Sequence, residues 1–191
     1  MKKNLLRKED VEFIRTHFIK SLGRRGEYSW KHARATALYL QKKARACGEV
    51  KEKELSTMFL GALGHDLLED THASKQELEK RWGKKTLLYI KEMTNKNGDS
   101  NTQGYIRHLK RADEEGLLIK FADIYSNSEN SLKHFKTFKT SWIKGFWVPL
   151  LLRYKKELFC RKFKKYPTTA KSMIRNIDKN IKRLVVRASA L

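Results

Sequence analysis

Three carboxylates and an imidazole crowd into the segment Gly61-Ala62-Leu63-Gly64-His65-Asp66-Leu67-Leu68-Glu69-Asp70-Thr71. Read as one helix, it sets His65 and Glu69 four residues apart, and Asp66 and Asp70 likewise, so all four side chains project from one sector. The residues leading into them are apolar, and burying such a group is costly without a compensating cation. A divalent metal supplies one, because it accepts imidazole and carboxylate ligands together. The competing reading is a polar helix end facing solvent, with Asp70 and Thr71 capping the next element. A second segment, Leu117-Leu118-Ile119-Lys120-Phe121-Ala122-Asp123-Ile124-Tyr125-Ser126-Asn127, repeats Lys120, Asp123 and Asn127 at spacings of three and four on one helical face. A lysine, an aspartate and an asparagine so aligned can bind a metal, a phosphate and a sugar or base; a solvated helix face is the plainer alternative. His32 stands inside a helical run, where a lone histidine is more often structural than a ligand.

The elements that must position these residues read as helices throughout. Val11, Ile14, Phe18 and Leu22 recur at helical spacing over 8–22, and Gly23-Arg24-Arg25-Gly26 breaks the pattern. Further helices are predicted over 29–48, carrying His32, and over 55–68, apolar nearly throughout and therefore central. Ser74, followed three residues on by Glu77, has the pattern of a capping box that opens helix 78–93, interrupted at Gly83. A polar loop over 95–104 precedes helices over 105–112 and 116–135. Another follows over 142–163, with Pro149 as a kink or start. A last helix over 169–186 puts Ile174, Ile177, Ile181, Leu184 and Val185 on one stripe and Lys171, Arg175, Lys179 and Lys182 around the other side. No stretch alternates long enough to be a strand. The expected fold is an all-α single domain over 1–191, with a motif-bearing core over about 10–131 and a basic helical C-terminal extension over about 132–191.

Charge sharpens that division. The 191 residues carry a formal net charge of +22, and from Lys133 onward 17 Lys and Arg face only Glu157 and Asp178. Such a field attracts polyanions, unless it merely solvates the surface. No uninterrupted apolar stretch follows the charged N-terminus, and the longest apolar run, 145–152, is too short to cross a bilayer, so a cytoplasmic location is expected. Cys47 and Cys160 lie far apart without ligand-type spacing and read as ordinary reduced residues.

The order of His32, then Ala62–Thr71 (ALGHDLLEDT), then Ile119–Asn127 (IKFADIYSN) resembles the hydrolase (HD) domain of the RelA/SpoT family and its small single-domain relatives. Gly26-Glu27-Tyr28 before His32, and the stretch from Arg81-Trp82-Gly83 to Met93-Thr94-Asn95-Lys96, add to the likeness, which covers roughly 10–131. The HD pair alone is weak; the three motifs in order are specific. The resemblance implies an all-α HD fold with manganese held by His32, His65, Asp66 and Asp123. It also implies removal of the 3′-diphosphate of guanosine tetra- or pentaphosphate as pyrophosphate. Glu69 and Asp70 match the family's catalytic acidic pair, while Lys120, Asn127, Arg24 and Arg25 are the expected substrate-binding residues.

The chain departs from the family pattern in places. Arg24-Arg25 stand a residue short of the usual Arg-Lys pair, Ala33 replaces a proline, and Ile124-Tyr125-Ser126 replaces a stretch with an Arg and a His. Ligands and acidic pair are intact, whereas the nucleotide pocket is altered. A second enzyme reading therefore keeps the site and changes the substrate to a nicotinamide dinucleotide phosphate or a nucleoside monophosphate. A non-enzyme reading makes the basic C-terminal third, with its interleaved aromatics, a nucleic-acid-binding surface. His72, just beyond the acidic pair, reads as a turn residue more readily than as a substrate contact, and His17, His108 and His134 carry no role.

Overall fold

The computed structural model describes residues 4–95 and 102–191. Among them every regular element is helical, as the periodicity predicts. In order they are α1 (Lys8–Leu22), α2 (Gly26–Cys47), α3 (Glu52–Leu63), α4 (Leu67–Asp70), α5 (Lys75–Trp82), α6 (Lys84–Met93), α7 (Thr102–Leu109), α8 (Glu114–Lys133), α9 (Thr140–Trp142), α10 (Val148–Leu158) and α11 (Pro167–Ser189).

α8 is the axis of the bundle. Leu117, Leu118, Ile119, Phe121 and Ala122 are fully buried, and α2, α3, α6 and α11 all pack against this helix. A helix apolar on most sides belongs at the centre of a core, where each fully buried large side chain contributes roughly 1.5–3 kcal/mol relative to exposure. A polar strip of α8, from Lys120 through Asp123 to Asn127, lines a cavity.

Several boundaries differ from the sequence reading for identifiable reasons. α2 begins at Gly26, three residues before Ser29, because Gly26 lets the chain pass against α1: a Cβ there would lie 2.3 Å from the Phe18 carbonyl oxygen. α3 stops at Leu63 and not at Leu68. A Cβ on Gly64 would lie 2.6 Å from the Trp82 ring and 2.9 Å from Ile90 Cδ1, so the helix breaks where α5 and α6 close over it. Ser74 caps α5, its Oγ accepting from the Glu77 amide at 3.1 Å, while the Glu77 carboxylate turns to His17 at 3.2 Å instead of closing a capping box. The interruption at Gly83 separates α5 from α6 with φ +84°. Of the predicted polar loop 95–104, residues 96–101 lie outside the described set, and Thr102 already opens α7. Pro149 has no N–H to donate, and the chain ahead of it takes a wider π-helical turn over Ile143–Trp147 before α10 starts at Val148.

The basic C-terminal part is integrated into the body. α11 buries Met173, Ile177, Ile181 and Leu184 and packs on α8, α10 and α2. Glu49 closes its N-terminus, accepting from the amides of Thr168 and Thr169 at 2.8 Å each. In the middle of the helix, buried Asn180 donates to Ser128 Oγ on α8 at 3.0 Å. No helix among the described residues is long and apolar enough to cross a membrane.

Candidate metal centre

Four segments deliver the site. His32 comes from the second turn of α2, Asp123 from the middle of α8, His65 and Asp66 from the break between α3 and α4, and Glu69 and Asp70 from α4. The break corrects the expectation that one helix carries His65, Asp66, Glu69 and Asp70 on a common sector. Leu67 N–H donates to the Gly64 carbonyl at 3.0 Å, and Asp70 N–H to the Asp66 carbonyl at 2.8 Å, which restarts the helix in a new direction. His65 thereby turns inward and is 2% exposed, while Glu69 and Asp70 reach the lip of the cavity.

The His65 ring is held by its Nδ1–H, which donates to the Ala62 carbonyl at 2.9 Å. Nε2 then faces the carboxylates, 3.0 Å from Asp66 Oδ2 and 3.4 Å from Asp123 Oδ1. Although both oxygens are near, the geometry gives the buried Nε2 no hydrogen bond to either, an arrangement that favours a positive charge, proton or cation, at this point. His32 Nε2 lies 3.0 Å from Asp123 Oδ1 and 3.9 Å from Asp66 Oδ2. On the far side of that ring, Ser126 Oγ shares a 3.2 Å hydrogen bond with Nδ1. Ligand atoms of His32, His65 and Asp66 fall within 4.8 Å of one another. Two imidazole nitrogens and carboxylates converging from separate segments form a donor set of the kind a first-row divalent ion takes, with ring partners that orient the imidazoles from behind.

The electrostatics follow from the same crowding. Burial works against charge on His65, yet the Asp66 and Asp123 carboxylates outweigh it and hold the imidazole well above its ordinary value. Such a pocket takes up positive charge, whether a proton or a cation. Burial also raises Asp123, but Lys120 with His32 and His65 prevails and keeps it well below the usual carboxylate range. Lys120 Nζ donates to Asp123 Oδ2 at 2.8 Å and lies 5.0 Å from the Tyr105 ring and 5.5 Å from the Tyr154 ring. Asn127 Nδ2 donates to Asp123 Oδ1 at 2.7 Å. Glu69 and Asp70 go the other way. Desolvation by the cavity walls raises both carboxyls, with the Asp66 charge adding to it, while the Asn95 amide donating to Glu69 Oε2 at 2.8 Å partly offsets the rise.

The cavity in front of these groups has a volume of about 920 Å³ and runs along the polar strip of α8 to Lys133 and His134. It is ample for a nucleotide-sized ligand.

The chain matches no protein-family model. No curated protein is significantly similar to it.

Of the residues singled out in the sequence, His32, Asp66, Glu69, Asp70, Lys120, Asp123 and Asn127 line this cavity, and His65 lies directly behind it. Arg24 and Arg25 sit on the 3₁₀ turn between α1 and α2 and do not line it; the Arg25 charge is nevertheless felt at Asp70. α11 contributes no lining residue. Ser126, Tyr105 and Tyr154 had no place at the site in the sequence reading. Ser126 follows Asp123 by three residues on α8, and that spacing alone signals a shared face. The two tyrosines come from α7 and α10, and only the tertiary fold brings them to Lys120.

Proposed function

We propose that this chain is a metal-dependent phosphohydrolase acting on a phosphorylated nucleotide, with guanosine tetra- or pentaphosphate as substrate and the 3′-diphosphate as the group removed. The observation that carries the reading is the convergence of His32, His65 and Asp66 on one point, with His65 Nε2 buried 3.0 and 3.4 Å from two carboxylates of different segments and hydrogen-bonded to neither. His32, His65, Asp66 and Asp123 would hold the ion, manganese according to the motif resemblance. When bound, such an ion lowers the pKa of water and offsets charge on a phosphoryl group.

The chain's own residues supply the remainder. Glu69, fixed by the Asn95 amide and held above its ordinary value by desolvation, is poised to accept a proton at one step and return it at another. Asp70, raised for the same reason and adjacent in sequence, extends the proton-handling surface of the lip. Lys120 keeps a positive charge beneath the phosphates while pinning Asp123, and Asn127 pins the other face of that carboxylate. The substrate-facing part of the pocket falls to the α2 and α8 walls, including Tyr28, Tyr39 and Tyr125, in place of Arg24 and Arg25.

The test is pyrophosphate release from guanosine 3′,5′-bis(diphosphate) with added manganese, in wild type and Glu69→Gln. Metal-dependent turnover that falls by about 10²–10⁴-fold in the variant is expected. Turnover only of a dinucleotide phosphate or a nucleoside monophosphate would replace the substrate and keep the site. No turnover of any of these by manganese-loaded protein contradicts the reading.

A further inference from the structure

α11 offers two faces of opposite character. Met173, Ile177, Ile181 and Leu184 are buried against the body, whereas Lys171, Arg175, Lys179 and Lys182 are exposed on the opposite side. Spaced i, i+4, i+8 and i+11, these four fall within one sector and extend over about 16 Å of helix at 1.5 Å per residue. Arg183 flanks the row. Asp178, paired with Lys155 at its Oδ1 and with Lys182 at 3.0 Å, is the one acid among 161–191, where ten Lys and Arg are found. Lys171, Arg175, Lys179 and Arg183 have no ion-pair partner among the described residues.

We propose that this face is a sequence-independent docking surface for the phosphodiester backbone of a nucleic-acid duplex. A rigid row of cations spaced about 6 Å apart concentrates positive charge where a duplex, with one phosphate per about 1.7 Å of its axis, can be neutralised. Single strands are bound through aromatic stacking platforms, and α11 holds no aromatic residue. Stable binding to a lipid surface adds an inserted apolar face to charge attraction, and the apolar face of α11 is already buried on α8, α10 and α2, with Val186 the one large hydrophobic residue of the helix that is exposed. The surface lies outside the catalytic cavity and stands whether or not the metal centre hydrolyses nucleotides.

The experiment is fluorescence anisotropy of the full chain with labelled mixed-sequence 20-base-pair DNA and RNA duplexes, titrated between 50 and 200 mM salt. Four phosphate contacts give a log–log salt slope of about −3.6, a fall in affinity of roughly 10²-fold across that range. The quadruple variant Lys171→Gln, Arg175→Gln, Lys179→Gln, Lys182→Gln should lose about three to four units of that slope, and Arg175→Gln alone about one. A control with Lys51, Lys53, Lys75 and Lys80 changed to Gln removes the same charge from exposed positions elsewhere and should keep the wild-type slope. Absence of duplex binding at 50 mM salt overturns the proposal. So does an equal loss of slope in the control, or binding to anionic phospholipid vesicles but not to duplex.

Discussion

The cavity floor and the outer face of α11 are both dense in charge, yet they obey opposite rules. Around Asp123, His32, His65, Lys120 and Asn127 all converge within 3.4 Å of one carboxylate, both signs are present, and every group is at least partly withdrawn from water. Along the outer face of α11 the charges are positive except for Asp178, separated by about a helical turn, and exposed. Buried charge demands compensation, so its arrangement is tightly constrained and reads as a site. Exposed charge of one sign costs little, leaves the fold indifferent, and makes its effect at long range on what approaches.

That contrast can be broken at several points. The largest effect belongs to Asp123→Ala, which leaves Lys120 buried without its carboxylate and unties His32 and Asn127. A loss of about 3–5 kcal/mol is expected from urea denaturation of the metal-free protein, and a loss below about 1 kcal/mol would show that the cluster is not a unit. An intermediate effect is expected at Glu49, whose carboxyl is tied to the first turn of α11. Burial raises it, but the amides and hydroxyls of Thr168 and Thr169 prevail and hold it below the ordinary value. A depressed carboxyl stabilises the fold at neutral pH, and the contribution is lost as pH falls through the folded-state value. Glu49→Gln should therefore cost about 1 kcal/mol at pH 7, as loss of a helix cap does, and progressively less in acid. A deficit in thermal unfolding that does not shrink on acidification would argue against this role. The smallest effect is expected from the quadruple α11 variant, in which each site should change stability by less than about 0.5 kcal/mol even as the salt-dependent binding disappears. Appreciable unfolding would mean that the row is part of the scaffold after all.

Much of this was readable in advance, and the failures have physical causes. Helical periodicity and the N-cap at Ser74 are local signals, and α1, α5 and α11 follow from them within a few residues. His65 and Asp66 stood out because imidazole and carboxylate are rare at the end of an apolar helical run, whereas His32 and Asp123 joined them as ligands only through the family resemblance. The break at Gly64 was not readable, since nothing local forbids a helix through 55–68; it falls where Trp82 and Ile90 pack too closely for any side chain at that position. Tyr105 and Tyr154 flank Lys120 from two other helices, a convergence that no spacing along the chain encodes. Arg24 and Arg25 were assigned by resemblance to the substrate, and the turn that bears them places both outside the cavity lining.

The most direct measurement is calorimetric titration of manganese into metal-free wild type and Asp123→Asn. One ion per chain in wild type, with affinity weakened by more than about 100-fold in the variant, beyond the usual cost of losing an outer hydrogen bond, is the predicted result. No binding by wild type, or equal binding by both proteins, would contradict a metal centre built on His32, His65, Asp66 and Asp123.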